Sequence, residues 1–125
     1  MAFYEDAPET RSLAGEINEL SDDLTMAIGE LREASKDWAD KDNAMRKAKA
    51  KAFIKAEGKN KEEREAKADA GWSEERLAAN QAEVEKDVCL EHVRSLRAQL
   101  SAKQALIYAN RAENESIRYG QTQKT

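Results

Sequence analysis

The chain has 125 residues, of which 37% are charged, 40% hydrophobic and 6% aromatic, with five glycines, one proline and a formal net charge of −4. That is one domain's worth of chain, too poor in turn and β-branched residues for a sheet protein. Its apolar residues recur with a helical period, which excludes simple disorder, and an elongated helical shape leaves little room for the deep pocket of a typical enzyme.

Residues 1–11, which hold the single proline and no periodicity, read as a flexible N-terminal arm. Thr10 or Ser12 then offers a helix N-cap. From Leu13 the apolar positions step by four and three through Ile17, Leu20, Leu24, Ala27, Leu31, Ala34 and Trp38, and the same register continues through Lys41, Met45, Ala48 and Ala52. Such a stripe, unbroken by proline, predicts a helix over about residues 13–57, roughly 65 Å long.

Gly58 marks the stop, as a left-handed residue just past the helix end. Asn60 with Glu63 makes a capping box of the Asn-x-x-Glu kind, which starts a second helix near Lys61. Gly71 either interrupts that helix, with Ser73 as a fresh N-cap, or lies within it. From Leu77 to Ile117 the chain is helical again, with Val84, Val88, Cys89, Val93, Leu96, Leu100 and Ile107 on a broad face, and Gly120 opens a flexible tail, 120–125. The expected fold is all-α: a long antiparallel, coiled-coil-like hairpin over 12–119, turning near 58–60. Two helices cannot cover stripes this long, so the pattern predicts assembly into an oligomeric bundle or ring, with Ile28, Phe53, Leu90 and Leu106 as further contacts.

Charge is segregated along the chain. Residues 1–42 balance at −8, 43–61 at +6, 62–93 at −6 and 94–125 at +4. In a hairpin the acidic start meets the basic end, which holds Arg94, Arg97, Lys103 and Arg111, and these pairs set alignment. The block 43–61 is not matched in this way, because Glu62, Glu63, Glu65 and Asp69 across the turn are interleaved with Arg64 and Lys67. Its seven bases, Arg46, Lys47, Lys49, Lys51, Lys55, Lys59 and Lys61, are either a solvated face or a track for the phosphates of a single-stranded nucleic acid, with Phe53 and Trp72 nearby for stacking. Tyr108 and Tyr119, which flank Arg111 and Arg118, belong either to such a surface or to a contact between copies.

Little else suggests chemistry. The one cysteine forms no intramolecular disulfide and no signal segment opens the chain, so a reducing, cytoplasmic setting is expected. No apolar run approaches the ~20 residues that span a bilayer. Cys89 reads as a small buried hydrophobe and His92 as a surface or interface residue; together they are too few for a structural zinc site, and no cofactor is expected. With one histidine, no phosphate-binding glycine loop and no buried carboxylate pair, no catalytic residue is assigned and the protein is not expected to be an enzyme.

The stretch AMRKAKAKAFIKAEGKNKEEREAKADAGW (44–72), followed by a helix containing VRSLRAQLSAKQALIYANRAE, resembles the UvsY-like family of small helical phage recombination mediators. The shared plan is a basic, alanine-rich helix, a glycine turn, and an acidic entry into a long helix ending in spaced arginines and aromatics. The resemblance covers residues 44–119 and leaves out the acidic first helix. It implies a helical homo-oligomer that binds single-stranded DNA and helps a recombinase displace the single-strand-binding protein, without hydrolysing anything. It places the DNA contacts at Arg46, Lys47, Lys49, Lys51, Lys55, Lys59 and Lys61, and the oligomer interface around Val88, Val93, Leu96, Leu100 and Ile107. The alternatives are a phage structural or assembly protein, in which charge serves only subunit pairing, and an acidic helical inhibitor of a host protein.

Overall fold

The computed structural model describes residues 8–123, with side chains through residue 120. These form three helices, α1 (Pro8–Lys55), α2 (Lys61–Ala70) and α3 (Ser73–Gln123), so the fold is all-α. Helix α1 begins four residues before Ser12. Proline suits a first helical turn, where its N–H is not needed and its φ is already helical, and Glu9 complements the positive end of the helix. Residues 8–11 of the expected arm are therefore helical, and residues 1–7 lie outside the described residues. At the other end α3 continues through Gly120 to Gln123, because a single glycine costs a helix only about 1 kcal/mol. Residues 124–125 of the expected tail lie outside the described residues.

The break between α1 and α2 falls where expected, with one correction. Asn60 is the N-cap of α2: its Oδ1 accepts the Glu63 N–H at 2.8 Å, and the Glu63 carboxylate reaches back to accept the Lys59 N–H at 3.2 Å. Gly58, however, is not left-handed, since no described glycine has a positive φ. What requires glycine there is proximity. A Cβ at Gly58 would lie 3.0 Å from both Cγ and the backbone nitrogen of Arg64, so any side chain would push on the first turn of α2.

Gly71 does interrupt the second helical segment. Its backbone is right-handed, with φ −71° and ψ −14°, and its N–H is shared between the carbonyls of Lys67 and Ala68. A Cβ at this position would sit 3.1 Å from the Cβ of Ala52, so close packing of the corner on α1 selects glycine. Ser73 is not the N-cap; it is the first residue of α3, and its hydroxyl donates to the Ala70 carbonyl at 3.2 Å. The carbonyl of Trp72 instead accepts from the Arg76 N–H at 3.0 Å.

The chain divides into two compact units. The first comprises the described parts of 1–27 and 92–125. Here Leu20 and Ala27 of α1 are buried, as are Val93, Leu96 and Ile107 of α3, and Glu16 accepts a 2.8 Å hydrogen bond from Lys103. The second unit spans 28–91. Its buried residues are Ala68, Trp72, Ala79 and Ala82, so small side chains and one indole make the core. Trp38 of α1 is half-buried beneath the ammonium of Lys86, which sits 3.9 Å from the ring centroid. The seam read in α1 is the covered face: of its twelve positions from Leu13 to Ala52, only Lys41 is exposed.

Candidate nucleic-acid interface

All seven expected contact residues lie in the second unit and are exposed, on the last turns of α1, in the loop after it (Lys59) and at the first residue of α2 (Lys61). Helical spacing divides them into groups. Lys47, Lys51 and Lys55 are four residues apart and share one flank of the buried seam, whereas Arg46 and Lys49 lie on the other flank, with Phe53. Lys59 and Lys61 border the N-terminus of α2.

On the first flank, Lys51 and Lys55 line an open groove of about 530 Å³ whose far wall carries Lys67 of α2, with Glu57 and Glu75 also at its edge. Lys67 is held 3.4 Å from Glu63, while Lys47, Lys51 and Lys55 make no ion pair with any described residue. Like charges four residues apart on a helix repel, so this row has unmet demand for anions.

On the second flank the cations are more occupied. Arg46 is bonded to Asp42 at 2.9 Å, and the Lys49 ammonium lies 5.2 Å from the Trp72 centroid. Lys61 stands 3.9 Å from Glu65. A second groove, of about 390 Å³, is lined by Phe53, Ile54, Ala56, Lys61, Arg64 and Glu65. Phe53 is 46% exposed and Ile54 84% exposed, so apolar surface is presented next to two cations.

Trp72 does not take the stacking role considered from sequence. It is buried, with the Arg76 guanidinium 5.1 Å and the Lys49 ammonium 5.2 Å from its centroid, and its indole N–H has no hydrogen-bond partner among the described residues. A base cannot reach a ring packed in this way. Tyr108 and Tyr119, in the first unit, are 77% and 66% exposed. Two cations of the site escaped the sequence reading of the basic block: Arg64 and Lys67 belong to an acidic stretch. The signal was the cap at Asn60, which starts α2 so that residues four and seven places on return to the end of α1.

The residues expected to join copies are differently placed. Val93, Leu96 and Ile107 are buried by the chain's own packing and Leu100 is half-buried, so a second copy does not meet them as free surface, whereas Val88 is 63% exposed. Phe53 and Leu106 are exposed, and Ile28 and Leu90 half-buried. Cys89 is half-buried and His92 exposed. Among the described residues there is no group of three or more His, Cys, Asp or Glu arranged to hold a metal, and no helix long and apolar enough to cross a membrane. Comparison with protein-family models, with curated proteins and with solved structures gives no match.

Proposed function

We propose that this chain is a non-enzymatic phage recombination mediator that binds single-stranded DNA through the basic end of α1. The observation that carries the binding is the row Lys47, Lys51 and Lys55: exposed, aligned along one flank and unpaired by any described residue, with Lys51 and Lys55 lining an open groove that Lys67 also lines. Phosphates satisfy such a row through counterion release, and on the other flank Phe53 with Arg64 offers a face on which a base can stack. The mediator role, with a recombinase and a single-strand-binding protein as protein partners, rests on the resemblance of residues 44–119 to the UvsY-like family. In this reading α1 and α3 run antiparallel as a hairpin, supported by the Glu16–Lys103 pair in the first unit and the Trp38–Lys86 contact in the second. Several copies assemble, and repetition of a weak site raises the avidity for a long strand. Binding free energy is the whole mechanism: phosphates held in the groove are released as salt rises or as a competing protein takes the strand.

The test is a titration of fluorescent single-stranded DNA at several salt concentrations, with duplex DNA alongside. Wild-type protein is expected to prefer the single strand, and Lys47→Glu with Lys51→Glu to abolish binding while the helical circular dichroism is retained. Equal affinity of the double variant and the wild type rules the site out.

A further inference from the structure

The row of lysines has a negative counterpart on the same helix. Glu30, Glu33 and Asp37 of α1 line an open groove of about 760 Å³ together with Glu85 and Cys89 of α3, all within the second unit. Four carboxylates border this groove, and they are not gathered into a metal-holding group. Asp37 has a local partner in Lys41 at 3.0 Å, an exposed pair, while Glu30 and Glu33 make no ion pair with any described residue.

The spacing of the two rows matters more than their charge. Glu33 and Lys51 are eighteen residues apart, and so are Asp37 and Lys55. Eighteen residues are five full turns, so each pair is in line along the helix, about 27 Å from end to end. If two copies of α1 lie antiparallel about a two-fold axis at Ala44, Glu33 of each falls opposite Lys55 of the other, and Asp37 opposite Lys51. Both pairings follow from one axis position. Ala44 is exposed and small, so two helices can approach closely where the axis passes. A two-fold contact uses the same patch on both copies and is closed, as this arrangement requires.

We infer that this flank of α1, from Glu33 to Lys55, is an interface for a second copy of the same chain, paired antiparallel about Ala44. This rests on the oligomeric part of the reading above and not on nucleic acid. It supplies the surface that Val93, Leu96 and Ile107, buried inside the chain, do not. Because Lys51 and Lys55 serve both surfaces, DNA and the second copy compete for them, and the avidity described above requires copies joined elsewhere than at this flank.

The experiment is sedimentation of the full chain without DNA, at low salt and at ~0.15 M salt, where surface charges are substantially screened. The wild type is expected to sediment as a dimer that weakens as salt rises. Glu33→Lys with Asp37→Lys makes the flank wholly basic, and Lys51→Glu with Lys55→Glu makes it wholly acidic; each double variant alone is expected to be monomeric. Mixed in equal amounts, the two are expected to form a heterodimer, since every pairing is again between opposite charges, and this restoration also shows that both are folded. A wild type that is monomeric at all concentrations overturns both this interface and the oligomeric reading. Oligomers that persist in both double variants, or a mixture that stays monomeric, overturn this interface while leaving assembly by another surface. Single-stranded DNA binding by a monomeric wild type separates the failure of the interface from that of the DNA reading.

Discussion

Trp72 shows how one residue's role is set by its neighbours. From sequence it is an aromatic beside a basic block; in the fold it is buried, with Lys49 and Arg76 within cation–π range and its N–H unpaired among the described residues. An unpaired buried donor adds nothing, so Trp72→Phe is expected to change stability little, within about 1.5 kcal/mol, whereas Trp72→Ala removes the largest side chain of the second unit's core and costs about 3–5 kcal/mol. Urea denaturation followed by circular dichroism checks both; a Trp72→Ala protein as stable as the wild type would contradict the packing described. Thr10 has the same character in the first unit. Its side chain is fully buried and its hydroxyl has no hydrogen-bond partner among the described residues. Thr10→Val keeps the shape and removes the orphan, and should raise stability by about 1 kcal/mol, seen as a higher melting temperature.

At the scale of elements, the two long helices differ in how openly they announce their buried faces. In α1 the seam is marked by Leu, Ile, Ala and Trp, and the heptad reading falls on the covered face. The covered face of α3 also steps regularly by three and four, from Glu75 through Ala79, Ala82, Lys86, Cys89, Val93, Leu96, Leu100, Lys103, Ile107 and Asn110 to Asn114. Charged and amide residues occupy much of it, because long stems pack while their heads reach water or a ring, as Lys86 does over Trp38. Val84 and Val88, which look like core, are each 63% exposed. Hydrophobicity alone therefore selects the wrong face in the first half of α3 and the right one from Val93 to Ile107. The start of α2 is simpler, since the Asn60–Glu63 cap is a local interaction and was legible in full. Asn60→Ala should cost about 1 kcal/mol, and because the cap also sets where Arg64 and Lys67 sit, it should weaken any ligand of the grooves beside Lys51 and Phe53. Denaturation and the DNA titration, run on the same variant, test the two effects.

For the molecule as a whole, the alternation of charge blocks is the dominant feature, and its consequences depend on salt. If single-stranded DNA is held by phosphate contacts, the slope of log affinity against log salt measures their number, at about 0.7 per contact for single strands. Neutralising Lys51 and Lys55 to glutamine should then flatten that slope by about 1.4, while Arg46→Gln, whose side chain is bonded to Asp42, should change it less. A slope unchanged by the lysine substitutions would mean that phosphates are not held in this groove. Exposed pairs such as Lys41–Asp37 and Lys61–Glu65 each contribute only about 0.2–1 kcal/mol, so the same salt range should leave helical content nearly constant.

The sequence by itself determined the helical class, the seam of α1, the cap at Asn60 and the placement of positive charge at 43–61, because each depends on interactions between residues a few places apart. The tertiary structure alone decided what Gly58 and Gly71 are for, since their glycines answer to Arg64 and Ala52 across a corner and not to their own φ. It alone buried Trp72, covered the polar seam of α3, and brought Lys67 beside Lys51 and Arg64 beside Phe53. Those outcomes depend on which helix surfaces meet. Periodicity fixes which residues share a face, but only packing against a neighbour selects which face leaves the solvent.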